Sequence, residues 1–175
     1  MIPSSADVGS ARFHEEDFYM FGFGKKKIKL AAPVAGRIID ITEVADDVFS
    51  TKMMGDGFAV EPTDGADTIV APCDGEVTLV AKTLHAVALQ AEGLEILLHV
   101  GLDTVELEGQ GFRALVQAGD KVQCGTPLLH FDRAAIEAQG KKLTTMLVLT
   151  NGAEKVKRLE KHLQEPEAVL TVEMK

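Results

Sequence analysis

The sequence predicts an all-β fold, a sandwich or barrel with a few short peripheral helices. Three observations lead there. From Ile28 to about Phe131 the chain is a series of short β-branched or apolar runs cut by Gly, Pro and Asp. Helix-type signals are confined to two short, late segments. One punctuation also recurs, Ala32-Pro33 followed by Gly36 and Ala71-Pro72 followed by Gly75, which suggests two similar β-units packed together rather than a solenoid.

Taken in order, residues 1–26 show no sustained period and read as a flexible leader. Its end, "YMFGFGKKKIK", sets aromatics before lysines. That is either a linker entering the first strand or a peripheral membrane contact, with rings in the interface and lysines toward anionic lipid. The remaining chain, 27–175, reads as one domain. "IKLAAPVAGRIIDI", "DTIVAPCDGEVTLVA" and "AGDKVQCGTPLLHF" supply strands and turns. Asp132 caps a short helix through "RAAIEAQ" that ends at Gly140. "LTTMLVLT" is a strand, Asn151 starts a second helix through "AEKVKRLEKHL", and "AVLTVEM" is a closing strand.

Composition narrows the function. The 175 residues suffice for one domain with a real core. A net charge of −9 and no basic stripe with interleaved aromatics argue against nucleic acid; an acidic surface favours basic protein partners. No apolar stretch is long enough for a membrane span, and no secretory signal opens the chain. Cys73 and Cys124 stand alone, without a metal-type or redox spacing, which points to a reduced, cytoplasmic protein.

The chemistry-bearing stretch is "TLHAVALQAEGLEILLHVG", Thr83 to Gly101. Two apolar runs flank a turn cluster. A three-residue loop, Ala91-Glu92-Gly93 with Gly93 left-handed, sets His85 directly opposite His99, with Thr83 one step beyond on the same face. Adjacent imidazoles repel when both are charged and need partners when both are buried and neutral. Three roles remain open: a satisfied core pair, a metal site on His85 and His99 with Asp103 as a further ligand, or a nucleophilic imidazole assisted by a second one. A neutral histidine is abundant near pH 7, and phosphoryl transfer asks chiefly for positioning and hydrogen bonds.

The strings "LLHVGLDTVELEGQGF", "TLHA", "VFSTKMMGDGFAVEP" and "GDKVQCGTPLLHFD" resemble the glucose-type enzyme IIA domains of the bacterial phosphoenolpyruvate-dependent sugar phosphotransferase system. The resemblance runs from about Ile28 to the C-terminus. It implies an antiparallel β-sandwich of barrel-sandwich hybrid type and a phosphoryl relay, from the phosphocarrier HPr to a histidine and on to a cysteine of a IIB domain. His99 matches the phosphorylated histidine, His85 the second active-site histidine, and Thr83 the threonine bonded to it. Phe49 matches an aromatic at the partner-binding rim, with Val48 beside it; Asp46, Asp47 and Asp103 would offer negative charge to HPr. Ala81 and Leu97 stand where some relatives carry phenylalanine. No cofactor is required. A regulatory role is the alternative: the unphosphorylated face binding transporters or metabolic enzymes, with zinc on His85 and His99 bridging to the partner.

Two rivals fit less well. "HVGLD" satisfies the H-x-x-x-D of LytM-type zinc peptidases, but the later H-x-H is missing; only "HFD" at His130–Asp132 is present. "TKMMGDG" sets Lys52 beside two methionines, as biotinyl carriers do, without their symmetric hairpin.

Overall fold

The computed structural model describes residues 26–175, so residues 1–25 of the expected leader, and the membrane contact attached to them, lie outside the described residues. The expected runs become strands, some alternating with one face on a core, as in "LTVEM", and one, "TMLVL", buried on both faces. A seven-stranded antiparallel sheet dominates. Its central members are β3 (Asp56–Pro62), β11 (Thr145–Leu149), β7 (Leu94–Val100) and β6 (Ala86–Ala91). β2 (Gly36–Asp40) lies outside β3; β5 (Gly75–Val80) and β9 (Lys121–Val122) lie beyond β6. Two three-stranded sheets accompany it: β1 (Lys27–Leu30), β13 (Leu170–Met174) and β12 (Val156–Lys161); and β4 (Thr68–Val70), β10 (Pro127–Phe131) and β8 (Phe112–Ala114). Every strand pair among the described residues is antiparallel. The architecture is a β-sandwich.

The repeated punctuation has a structural counterpart. Ala31 N–H donates to Pro72 O at 2.9 Å, and its equivalent one repeat later, Val70 N–H, donates to Pro33 O at 2.8 Å. The two turns therefore hold each other through the same bond made twice. Their glycines share a reason as well. A Cβ on Gly36 would stand 2.1 Å from Glu61 O, and one on Gly75 would stand 2.6 Å from Gln90 O. In each unit the neighbouring strand approaches too closely for any side chain.

Two apolar clusters occupy opposite faces of the central strands. Phe58, Val60, Val87, Leu89, Ile96, Leu98, Leu147 and Leu149 join the main core. The alternate residues Ala59, Met146 and Val148 form a smaller cluster on the other face, with Leu97 packed against it. That face is covered by residues 39–49: Ile39, Ile41, Val44 and Phe49. The cover is built from a 3-10 turn (Ile41–Glu43) and the helix α1 (Asp47–Ser50). Asp40 and Glu43 form a reciprocal capping box around the turn, and the Asp46 carboxylate accepts from Val48 N–H to start α1.

Of the expected helices, α2 (Arg133–Ala138) forms under the Asp132 cap. The second is a correction. Only one turn, α3 (Gly152–Lys155), is helical; "VKRLEK" is strand β12, paired with β13. The segment's helix formers are outweighed by a ladder with a strand far along the chain, which local propensity does not register.

Candidate phosphoryl-transfer site

His99 owes its position to the pleat of β7. Ile96, Leu98 and Val100 point into the main core, so Leu97 and His99 emerge on the opposite face. There His99 is flanked by Ala86 of β6 and Met146 of β11. The ring is partly covered by Phe49 of α1, at a centroid separation of 5.0 Å and 59°.

The pairing that sets this geometry differs from the expected one. The β6–β7 loop has two residues, not three: Ala91 pairs with Leu94, and Ala86, not His85, stands opposite His99. Glu92 (φ 52°) and Gly93 (φ 85°) both take positive φ, as a tight two-residue hairpin turn requires. A glutamate is an unusual occupant there, and neighbours compensate. The Asn151 side-chain amide donates to Gly93 O at 2.9 Å and accepts from Glu95 N–H at 2.9 Å, while Lys26 pairs with the Glu92 carboxylate.

The histidines still meet. His85 lies just beyond the end of β6, where its carbonyl accepts from Val100 N–H at 2.7 Å. The preceding Leu84 is left-handed (φ 58°), so the chain leaves the pleat and brings the imidazole across to His99. The ring centroids are 4.8 Å apart and nearly perpendicular at 78°. Thr83 Oγ lies 2.7 Å from His85 Nδ1, and His99 Nδ1–H donates to Gly101 O at 3.0 Å.

These contacts set the electrostatics. Burial, then the neighbouring His85, pushes the His99 pKa down to about 4, against weaker upward pulls from the Gly101 carbonyl, Asp46 and Asp103. Burial lowers His85 too. Both rings are therefore neutral near pH 7. Because a carbonyl only accepts, the neutral His99 keeps its proton on Nδ1 and its lone pair on Nε2. A neutral, oriented imidazole with a second imidazole beside it is equipped for nucleophilic exchange.

The other residues singled out in the sequence distribute around this pair. Phe49 is only 5% exposed, so its ring serves the smaller core and His99 rather than an open rim; Val48 next to it is 41% exposed. Asp46 is engaged as the α1 cap, whereas Asp47 and Asp103 are exposed. Asp103 (φ 57°) leads into a second 3-10 turn, Thr104–Leu107. That turn presents Val105, 50% exposed, which sequence reasoning did not single out. The α1 cover was also missed, although its capping signals, Asp40 to Glu43 and Asp46 before "DVFS", are written in the chain. Among the described residues, no cluster of three or more His, Cys, Asp or Glu side chains could hold a metal ion. His85 and His99 offer two of the four donors zinc prefers.

The family model for the phosphoenolpyruvate-dependent sugar phosphotransferase system, EIIA 1, matches residues 28–155. The chain belongs to this EIIA family. The EIIA chain is 43% identical over 136 residues to a protein of Staphylococcus epidermidis named "PTS system glucose-specific EIIA component", covering 75% of this chain and 81% of that protein. A Staphylococcus aureus protein of the same name matches equally, at 43% over 136 residues. Its fold is similar to glucose permease IIA from Mycoplasma capricolum, with a TM-score of 0.73 and 34% identity, covering 83% of this chain and 96% of that one. As an EIIA component, it is a phosphoryl carrier of a sugar phosphotransferase system and works with other components of that system. No helix among the described residues is long and apolar enough to cross a membrane.

Proposed function

We propose that His99 Nε2 is the atom that carries the phosphoryl group, taking it from phospho-HPr and passing it to a cysteine of a IIB domain in the cytoplasm. The observation that carries this reading is the hydrogen bond from His99 Nδ1–H to Gly101 O, 3.0 Å long, beside a second imidazole at 4.8 Å. It leaves one nucleophilic nitrogen. In the first step the Nε2–P bond forms as the N–P bond of the donor breaks, and Nδ1 keeps its proton against the carbonyl. In the second, a cysteine sulfur takes the phosphorus and the lone pair returns to Nε2. No metal or nucleotide enters either step. Thr83 Oγ lies 2.7 Å from His85 Nδ1; in this reading the hydroxyl donates to Nδ1, so that His85 carries its proton on Nε2 and bonds to a phosphoryl oxygen.

Val48, next to the Phe49 that packs on His99, and Val105, on the turn that follows Asp103, supply exposed apolar surface, and Asp46, Asp47 and Asp103 supply charge for a basic partner. The names of the relatives point to glucose as the sugar served. A zinc ion bridging His85 and His99 to a regulated transporter or enzyme would need its remaining ligands from that partner.

The test is intact mass after incubation with phosphoenolpyruvate, enzyme I and HPr, for the unaltered chain, His99→Ala and His85→Ala. One acid-labile phosphoryl group on the unaltered chain, absent from His99→Ala, is expected. His85→Ala should accept the group and fail to deliver it to a IIB domain. No phosphorylation of the unaltered chain would refute the assignment.

A further inference from the structure

Thr104 is a polar residue that the fold buries completely, at 0% exposure. A buried hydroxyl requires an acceptor, and its Oγ–H donates to Val100 O at 2.5 Å. Val100 is the residue between His99 and Gly101. The threonine methyl is aimed at Gly101 itself: a Cβ on that glycine would stand 2.4 Å from Thr104 Cγ2 and 2.8 Å from Lys142 O. Gly101 (φ +85°) donates its N–H to Thr144 O at 2.9 Å and offers its carbonyl to His99 Nδ1–H. Thr104 thus holds the peptide before Gly101 by a hydrogen bond and closes over its α-carbon by contact. A glycine is the residue with most freedom to turn its carbonyl elsewhere, and here that freedom is removed from outside.

We infer that Thr104 is a positioning residue for phosphoryl transfer. Through the Val100 carbonyl it fixes the Gly101 peptide, so that the Gly101 carbonyl takes the Nδ1 proton of His99 and the lone pair stays on Nε2. The inference rests on the reading that His99 Nε2 is the acceptor. A purely structural threonine, tying off the turn before Leu107, would affect stability and leave the imidazole alone.

Thr104→Val removes the hydroxyl at nearly constant shape, and Thr104→Ser keeps it. The decisive measurement is the nitrogen-15 spectrum of the His99 ring in the unphosphorylated chain, alongside the rate of phosphoryl acceptance from phospho-HPr. Thr104→Val should turn a single Nδ1–H tautomer into a mixture and slow acceptance about fivefold, the weight of one hydrogen bond. Thr104→Ser should retain the tautomer and a rate within about twofold of the unaltered chain. A Thr104→Val chain that melts earlier but keeps the single tautomer and the full rate would overturn the inference. If Thr104→Val does not fold, a tautomer mixture in Thr104→Ser, whose hydroxyl is intact, would overturn it equally. Absence of phosphate on His99 in the unaltered chain would instead refute the acceptor reading, while the tautomer comparison still judges Thr104 by itself.

Discussion

Mild acid should destabilise this fold through His99 before Asp40 and Asp56 take up protons. The His99 ring is pushed to about 4 from an ordinary 6.5, by burial first and by His85 second. In the unfolded chain the same ring is solvated and takes a proton near its ordinary value. Between the two values the unfolded state binds that proton and the folded state does not. The contribution is therefore fully present above pH 6.5 and is lost as pH falls toward 4. At 1.36 kcal/mol per pH unit the full span is worth about 3 kcal/mol, and His85, lowered by its own burial, acts in the same direction. Asp40 and Asp56 act in a lower window. Burial raises them, but hydrogen bonds from Lys161 and from backbone N–H groups outweigh it and hold both below 3.8, so their share is lost only below that pH. The assay is urea unfolding from about pH 7.5 to about pH 4.5 for the unaltered chain and His99→Gln. The unaltered chain should lose stability steeply over this range, and the variant, which has no proton to gain there, clearly less. Parallel curves, or a His99 ring proton resonance that titrates near 6.5, would show that the ring is solvated and the burial argument wrong.

Other perturbations test separate parts of the structure. Phe49→Ala removes a ring that is 5% exposed and covers His99; it should cost about 3–5 kcal/mol in thermal or urea unfolding and raise the His99 pKa by admitting water. Asn151→Ala deletes the amide that clamps the Glu92-Gly93 turn and should cost about 1–2 kcal/mol while phosphoryl acceptance stays unchanged. An unfolding midpoint equal to that of the unaltered chain would show the clamp to be idle. Gly36→Ala and Gly75→Ala each force a Cβ against a neighbouring strand's carbonyl. Each should cost about 1–3 kcal/mol or more in urea unfolding, and a large cost at one position with none at the other would break the two-unit reading.

How legible the site was depended on which contacts decide it. Alternation within β7 is local, so the emergence of His99 opposite to Leu98 could be read directly from "EILLHV". The contact between the two histidines was read correctly, by a route that was wrong. The expected three-residue loop avoided a glutamate at positive φ, whereas the chain tolerates Glu92 there because Asn151, distant in sequence, satisfies the turn. With the register moved by one, only the left-handed Leu84 restores the ring contact. Leucine at positive φ has no local signature. The same limit explains β12: "VKRLEK" carries no strand alternation of its own, and its pairing with β13, a strand later in the chain, is what makes it extended.

The state of His99 is set by residues remote in the chain as well. Its own strand exposes the ring to one face of the sheet; the segment from Ile39 to Phe49 decides that this face is nearly dry. Dryness keeps the imidazole neutral and nucleophilic, but by the same physics it opposes placing a phosphoryl anion there. Asp46 and Asp103, which favour a proton on the ring, also disfavour that anion. A carrier profits from this balance, because a phosphoryl group held too well would not be passed on. On the proposed assignment, a hydrogen bond from His85 would offset part of the cost while His99 holds the group. On the proposed assignment the site is poised between attraction and repulsion rather than built for tight binding, which suits a group that must be both taken up and passed on.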